Sequence, residues 1–368
     1  MLKWILCMTL FYQFVSADIP NTPPPKPLII GHRGACGHRP EHTLESYKLA
    51  ITMNADYVEP DLVSTKDHVL IARHENEIGG TTDVEKKFPN RKTTKTIDGK
   101  EVTGWFTEDF TLKEIKTLRA KERLDFRDHS FDGQFEIPTF EEILTLVQAE
   151  SKRLNKKIGV YPETKHPSYF QSIHLSLEEP LIDLLNKFNL NDKKSFIFIQ
   201  SFELTNLKKL KKMTPLPLIY LIDDPELVPY DHVLAKDKRT YLEMLKPVNL
   251  KEISLTASGI GPYKRYIIPA DSKNHSLPST SLIQDAHAVG LKVHPYTFRS
   301  ESKYLLTDYN NDPTAEYLAY FELGVDGLFT DFPDAANKAW DNYAAKIINK
   351  PHESLGQFIE NMKKKDKK

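Results

Sequence analysis

The chain has little cysteine, almost no net charge and no evident internal repeat. Only Cys7 and Cys36 occur in its 368 residues. Cys7 lies in a stretch that reads as a cleavable leader, so the remaining Cys36 has no partner and an intramolecular disulfide is excluded. A chain exported without disulfides must rely on its core or on a bound metal. Cys36 itself reads as a small loop residue rather than a nucleophile. Lys and Arg total 50 against 51 Asp and Glu. No global field therefore draws in nucleic acid or an anionic membrane, and any recognition of phosphate has to be local.

Against these absences stands a hydrophobic content of 40%, enough for a full core in one large domain or two ordinary ones. Residues 1–17 have a basic start, an apolar stretch and the small-residue end Val15-Ser-Ala17. That is the pattern of a secretory signal peptide, too short to cross a bilayer. The expectation is an exported protein, periplasmic or secreted, with no integral membrane span after cleavage. A proline-rich linker over 18–27 follows, and a charged tail over 351–368 closes the chain.

Between these ends, short β-branched or aliphatic runs alternate with segments of helical period. Strands are expected at 28–31, 57–62, 157–162, 195–201, 217–222, 252–256, 291–296 and 327–330. Helices are expected at 42–53, 139–152, 177–188, 203–213, 237–245, 282–289, 314–323 and 336–348. Eight strand–helix units over 28–350 predict an α/β fold, a (β/α)8 TIM barrel, with a doubly wound open sheet as the competing architecture. The barrel is preferred because the chemistry-bearing residues fall at the C-terminal ends of successive strands. Residues 76–138 break the alternation and read as an insertion after the second strand, packed over the barrel mouth, with a small helix at 111–118.

The stretch from Pro27 to Glu75 concentrates the chemistry. One apolar run delivers His32-Arg33 at its end, and the next presents Glu59 and Asp61, which period-two geometry puts on one face. A hairpin turning at Lys66-Asp-His68 returns His74 beside Asp61. Glu163 ends the third strand, so three carboxylates converge. Their mutual repulsion suits a hard divalent cation bound through oxygen. His32 and His74 are the natural acid–base pair, and Arg33 and Lys165 offer cationic donors to a phosphate. Phe202, His294 and Tyr296 are candidates to line the wall around the rest of a substrate. His38, His42, His68, His129 and His166 are read as surface or capping residues.

Taken together, Gly31-His-Arg-Gly34, Arg39-Pro-Glu-His-Thr43, Glu59-Pro-Asp61, Thr65-Lys-Asp67, Arg73-His-Glu75, Ile137-Pro-Thr-Phe140, Glu163-Thr-Lys165 and Asp326-Gly-Leu-Phe-Thr-Asp331 resemble the glycerophosphodiester phosphodiesterases. The leader and the long insertion look like the exported, periplasmic bacterial branch. The resemblance implies a phosphatidylinositol-phospholipase-like TIM barrel. It implies a small-molecule substrate, a glycerophosphodiester such as glycerophosphocholine or glycerophosphoethanolamine, hydrolysed to sn-glycerol 3-phosphate and an alcohol. On this resemblance His32 and His74 are catalytic. Glu59, Asp61 and Glu163 hold one divalent cation, Ca²⁺ first and Mg²⁺ second, and Arg33 and Lys165 contact phosphate. Many relatives have His-Asp where this chain has His74-Glu75, which leaves the role of Glu75 open. Two alternatives stand beside this reading: a lysophospholipase D or sphingomyelinase D-like phosphodiesterase, which needs an apolar groove, and an exported binding protein without turnover.

Overall fold

The structure is a computed structural model that describes residues 22–348. The expected leader, the first part of the expected linker and the expected tail lie outside these residues. Residues 27–340 form one compact unit. The flanking residues group separately; of them, 22–26 have no regular structure and 341–348 are helical.

Eight parallel strands run in chain order around the unit. They are β1 (Leu28–His32), β2 (Tyr57–Glu59 continuing as Asp61–Ser64), β3 (Gly159–Val160 continuing as Glu163–Thr164), β4 (Ile199–Ser201), β5 (Leu218–Ile222), β6 (Gly259–Pro262), β7 (Lys292–Val293) and β8 (Gly327–Thr330). β8 pairs with β1 through Leu28↔Gly327 to Gly31↔Thr330. β7 meets β8 through Asp326 N–H to the Val293 carbonyl and the Phe298↔Thr330 bridge. The sheet therefore closes, which excludes the open doubly wound alternative.

β2 and β3 are each interrupted by a proline, Pro60 and Pro162. A proline has no N–H to give the ladder but keeps its carbonyl. Pro60 accepts from Glu163 N–H and Pro162 from Gln200 N–H, both at 2.9 Å. Pairing therefore resumes as Asp61↔Glu163 and Glu163↔Gln200. This register sets Asp61 beside Glu163, with Glu59 two residues before Asp61 on β2.

Inward side chains fill the barrel. Ile30, Tyr57, Tyr161, Ile219 and Phe329 form a buried cluster, with Leu28, Phe198 and Tyr296 packed against it. Tyr161 stacks on Phe198 at 4.9 Å and meets Phe329 edge-on at 5.0 Å. Each such buried aromatic contributes roughly 1.5–3 kcal/mol through burial alone.

The helix starts are written locally. Leu44–Thr52 is capped by Thr43, whose hydroxyl accepts from Ser46 N–H. Phe140–Leu154 opens on a reciprocal Thr139–Glu142 capping box and ends at left-handed Asn155. Two expectations fail. Residues 252–256 are not a strand: Pro247 starts the helix Pro247–Ser254, which buries Leu250 and Ile253. The sixth strand is Gly259–Pro262, whose two glycines give no β-propensity signal. They are there because the barrel is tight: a Cβ on Gly259 would lie 2.8 Å from the Lys292 carbonyl oxygen. The helix expected over 237–245 shrinks to Tyr241–Met244.

Residues 70–72 return antiparallel to β2, with Leu62↔Ala72 to Ser64↔Leu70. The following insertion carries a two-stranded hairpin, Thr93–Ile97 and Lys100–Gly104. It also carries two single α-helical turns, Val84–Lys87 and Leu112–Ile115, the second falling inside the helix expected at 111–118. Among the described residues no helix is long and apolar enough to cross a membrane.

Candidate active site

A cavity of about 200 Å³ opens at the C-terminal ends of the strands. Its polar side carries His32, Arg33, Glu59, Asp61, His74, Glu163 and Lys165, and its other side Phe202, Leu221, Tyr263, Tyr296 and Phe329. Sequence positions from 32 to 165 are thus brought to one wall.

Oxygens of Glu59, Asp61 and Glu163 all lie within 4.8 Å of one another, and all three side chains are buried. Glu59 accepts from the Arg33 backbone N–H at 2.8 Å and from Gln200 Nε2 at 3.0 Å. Asp61 Oδ2 accepts from His42 Nε2 at 2.9 Å, while Oδ1 is buried with no hydrogen-bond partner. Burial, with Asp61 beside it, pushes Glu59 well above the usual carboxylate range. Burial likewise raises Glu163 to about 8, with Lys165 partly offsetting it. At Asp61 burial is outweighed by the Lys165 and His42 charges, and its pKa is held low. Three carboxylates this close cannot all ionise by themselves. Together with the orphaned Asp61 oxygen, this oxygen-only donor set fits a hard divalent cation.

Each histidine on the cavity has a carboxylate on Nδ1. His32 Nδ1 lies 2.6 Å from Asp331 Oδ1, and His74 Nδ1 lies 2.9 Å from Glu75 Oε1. A carboxylate at Nδ1 favours the Nδ1–H tautomer and leaves the Nε2 lone pair to act as base. Asp331 is itself held by Arg127 at 2.5 Å and Arg299 at 3.0 Å. His32 is lowered to about 4 by burial and the Arg33 charge, against the pull of Asp331. Burial, Arg33 and Lys165 lower His74 to about 3, although 34% of its side chain reaches solvent and water softens the effect. Both rings are neutral near pH 7.

The two cations stay charged because burial, which opposes charge, is outweighed by carboxylates. Glu41 and Asp61 do this for Arg33, and Glu163 and Asp61 for Lys165. Arg33 contacts Glu41 at 3.0 Å and Asp61 at 3.5 Å, and Lys165 contacts Glu163 at 2.9 Å.

Of the three residues expected to line the substrate wall, Phe202 and Tyr296 face the cavity and His294 does not. His294 is buried in the barrel with its Nδ1 2.9 Å from the Tyr161 hydroxyl, because β7 turns that position into the core. His42 is also not a surface residue. It is fully buried, clamped between the Tyr47 hydroxyl at 2.7 Å and Asp61. His166 lies between Asp98 and Glu75. Several contributors receive no role from the sequence: Gln200, Tyr263, Arg299, Arg127 and Asp331, although Asp331 ends one of the family motifs. Asp331 had a findable signal, since it follows the last residue of β8, where barrel sites are built. Arg127 had none, because nothing local in the insertion marks it.

The family model described as "Glycerophosphoryl diester phosphodiesterase family" matches residues 32–335. The chain is 39% identical over 322 residues to glycerophosphodiester phosphodiesterase GDPD6 of Arabidopsis thaliana, covering 83% of this chain and 84% of that one. It is 32% identical to a glycerophosphodiester phosphodiesterase of Haemophilus influenzae, covering 83% and 88%. Among solved structures, a putative glycerophosphoryl diester phosphodiesterase from Silicibacter pomeroyi superposes with a TM-score of 0.63 at 21% identity, covering 88% of this chain and 96% of that one. A phosphodiesterase of Oleispira antarctica in complex with the product sn-glycerol-3-phosphate does so with 0.58 at 18% identity, covering 86% and 97%. These two show the barrel fold. On the family match and the curated relatives together, the chain belongs to the glycerophosphoryl diester phosphodiesterase family.

Proposed function

We infer that the protein hydrolyses glycerophosphodiesters to sn-glycerol 3-phosphate and an alcohol, using His32 and His74 as the acid–base pair. The observation that carries this reading is the pairing of two imidazoles, each on a carboxylate, with three clustered buried carboxylates in one cavity. One imidazole takes the proton of the attacking oxygen, that of water or of the glycerol 2-hydroxyl, as the new P–O bond forms; in the second case water then opens the cyclic phosphate to glycerol 3-phosphate. The other, which must carry a second proton on Nε2 in the substrate complex, donates it to the alcohol oxygen as the old P–O bond breaks. Arg33 and Lys165 meet the phosphate oxygens. An anionic phosphate beside them offsets the cations that depress His74, so substrate binding brings that ring back toward its ordinary pKa. A divalent cation, Ca²⁺ before Mg²⁺, held by Glu59, Asp61 and Glu163 supplies Lewis-acid stabilisation of phosphoryl charge.

The aromatic side of the cavity, Phe202, Tyr263 and Tyr296, receives the alcohol. A volume of about 200 Å³ favours a small, water-soluble diester over a lysophospholipid with its acyl chain. The N-terminal pattern of residues 1–17 supports an exported enzyme, periplasmic or secreted.

The test is release of glycerol 3-phosphate from glycerophosphocholine and glycerophosphoethanolamine, with lysophosphatidylcholine as the competing substrate. Chelator should abolish turnover, and Ca²⁺ or Mg²⁺ should restore it. His32→Ala and His74→Ala should each lower kcat by about 10²- to 10⁴-fold while the protein stays folded. Near-normal turnover in both variants would remove the assignment. Binding with no release by the unaltered protein would establish the non-catalytic alternative.

A further inference from the structure

His166 follows Lys165 at the end of β3 and adopts a left-handed backbone, φ 45°. A non-glycine residue there is uncommon and tends to mark a constrained site. Its Nδ1 lies 2.6 Å from Asp98 Oδ2 and its Nε2 lies 2.7 Å from Glu75 Oε2. Both ring nitrogens face carboxylate oxygens, which only accept. Both must therefore donate, and the ring is an imidazolium. The other oxygen of Glu75, Oε1, meets His74 Nδ1.

Asp98 comes from the insertion. It is the first residue of the two-residue turn Asp98-Gly99, with φ 47° and 78°, that joins Thr93–Ile97 to Lys100–Gly104. The hairpin strands are mostly exposed, with only Ile97 and Gly104 buried. The hairpin thus adds little to the core, yet its turn delivers a carboxylate to the edge of the active site.

We propose that Asp98 and His166 are positioning residues for catalysis, holding Glu75 so that it fixes the orientation and tautomer of His74. The contrast with the other histidine shows why such a device is needed. Asp331, which orients His32, is 1% exposed and gripped by two arginines. Glu75 has 46% of its side chain exposed and would swing into water without a partner. His166 replaces the burial and the arginines with one clamped cation. Once it holds Oε2, Oε1 can accept only along the His74 Nδ1–H direction, and His74 Nε2 stays turned to the cavity, 3.4 Å from Lys165 Nζ. The insertion is therefore part of the catalytic geometry. The proposal rests on the assignment of His74 to acid–base catalysis.

The experiment compares Asp98→Asn, His166→Gln and Glu75→Gln, plus the Asp98→Asn/His166→Gln double variant, in the metal-loaded enzyme. Asn tolerates the left-handed turn conformation, so Asp98→Asn keeps the hairpin. Each single variant should lower kcat about 10- to 100-fold with KM changed less than about 3-fold. The double variant should cost no more than His166→Gln alone, since both act through one carboxylate. Nitrogen-15 NMR of the His74 ring should show the Nδ1–H tautomer in the unaltered protein and a mixture of tautomers in the variants. Unchanged kcat together with an unchanged His74 tautomer would overturn the proposal, as would a loss confined to KM. The NMR signal does not depend on turnover. If the unaltered protein proved inactive while the tautomer still shifted, the functional reading would fail and the positioning role would survive.

Discussion

Asp331 is the residue whose loss separates orientation from chemistry most cleanly. It touches His32 at 2.6 Å, is fully enclosed, and is held charged because His32, Arg299 and Arg127 outweigh the penalty of burial. Asp331→Asn keeps the shape but offers an amide where a carboxylate stabilised the imidazolium. Turnover should fall by about 10²- to 10⁴-fold, with little change in binding of the divalent ion. Kinetics alongside calorimetric metal titration check this; an equal loss of both would make Asp331 part of the metal site. His42 carries the same lesson for the metal side. Its sequence context suggests a surface or capping residue, yet it holds Asp61 beside the other two carboxylates, and nothing about one histidine in a loop reveals that.

At the scale of the element, the loop after β1 is the tightest piece of the site. Arg33 and Gly34 both have positive φ, 56° and 92°, and the Arg33 carbonyl accepts from His42 N–H and the Ser46 hydroxyl. This folding-back presents the Arg33 backbone N–H to Glu59. A Cβ on Gly34 would lie 2.6 Å from the Ser46 carbonyl carbon, a backbone atom that cannot step aside without moving the helix Leu44–Thr52. Gly34→Ala should therefore lower the stability of the protein by about 2–4 kcal/mol, read as a lower denaturant midpoint with an unchanged slope. A variant as stable as the parent would mean that the loop has room to relax. The strand ends behave differently. There the prolines interrupt the ladder without loosening it, because each proline carbonyl still accepts from the next strand.

For the whole molecule, pH should act on stability through His166. Burial would lower its pKa, but the hydrogen bonds it donates to Asp98 and Glu75 outweigh it and raise it to about 9 from 6.5. A base raised on folding contributes its stabilisation fully below the unfolded value and loses it as pH rises through the folded one. The contribution is complete below about pH 6.5, fades between there and about 9, and is absent above. Melting temperatures of the parent and His166→Gln, measured from pH 6 to 9.5, should converge as pH rises. A constant gap would show that the ring does not titrate in this window.

What the chain determined by itself is local. The alternation of apolar runs and helical segments, the Thr139–Glu142 capping box, the two-residue spacing of Glu59 and Asp61 and the hairpin to His74 each depend on neighbours a few positions away. The motif set with its family resemblance came from the same short stretches. Only the tertiary structure decided what depends on closure. β8 had to return beside β1 before Asp331 could reach His32 across 299 positions. The insertion had to come back to the barrel before Arg127 could reach Asp331 and Asp98 could reach His166. The sixth strand was misplaced because its glycines exist to let neighbouring strands approach, a requirement with no period to read. His294 was misassigned because whether a strand-end side chain points to the cavity or the core is set by the register of a closed barrel.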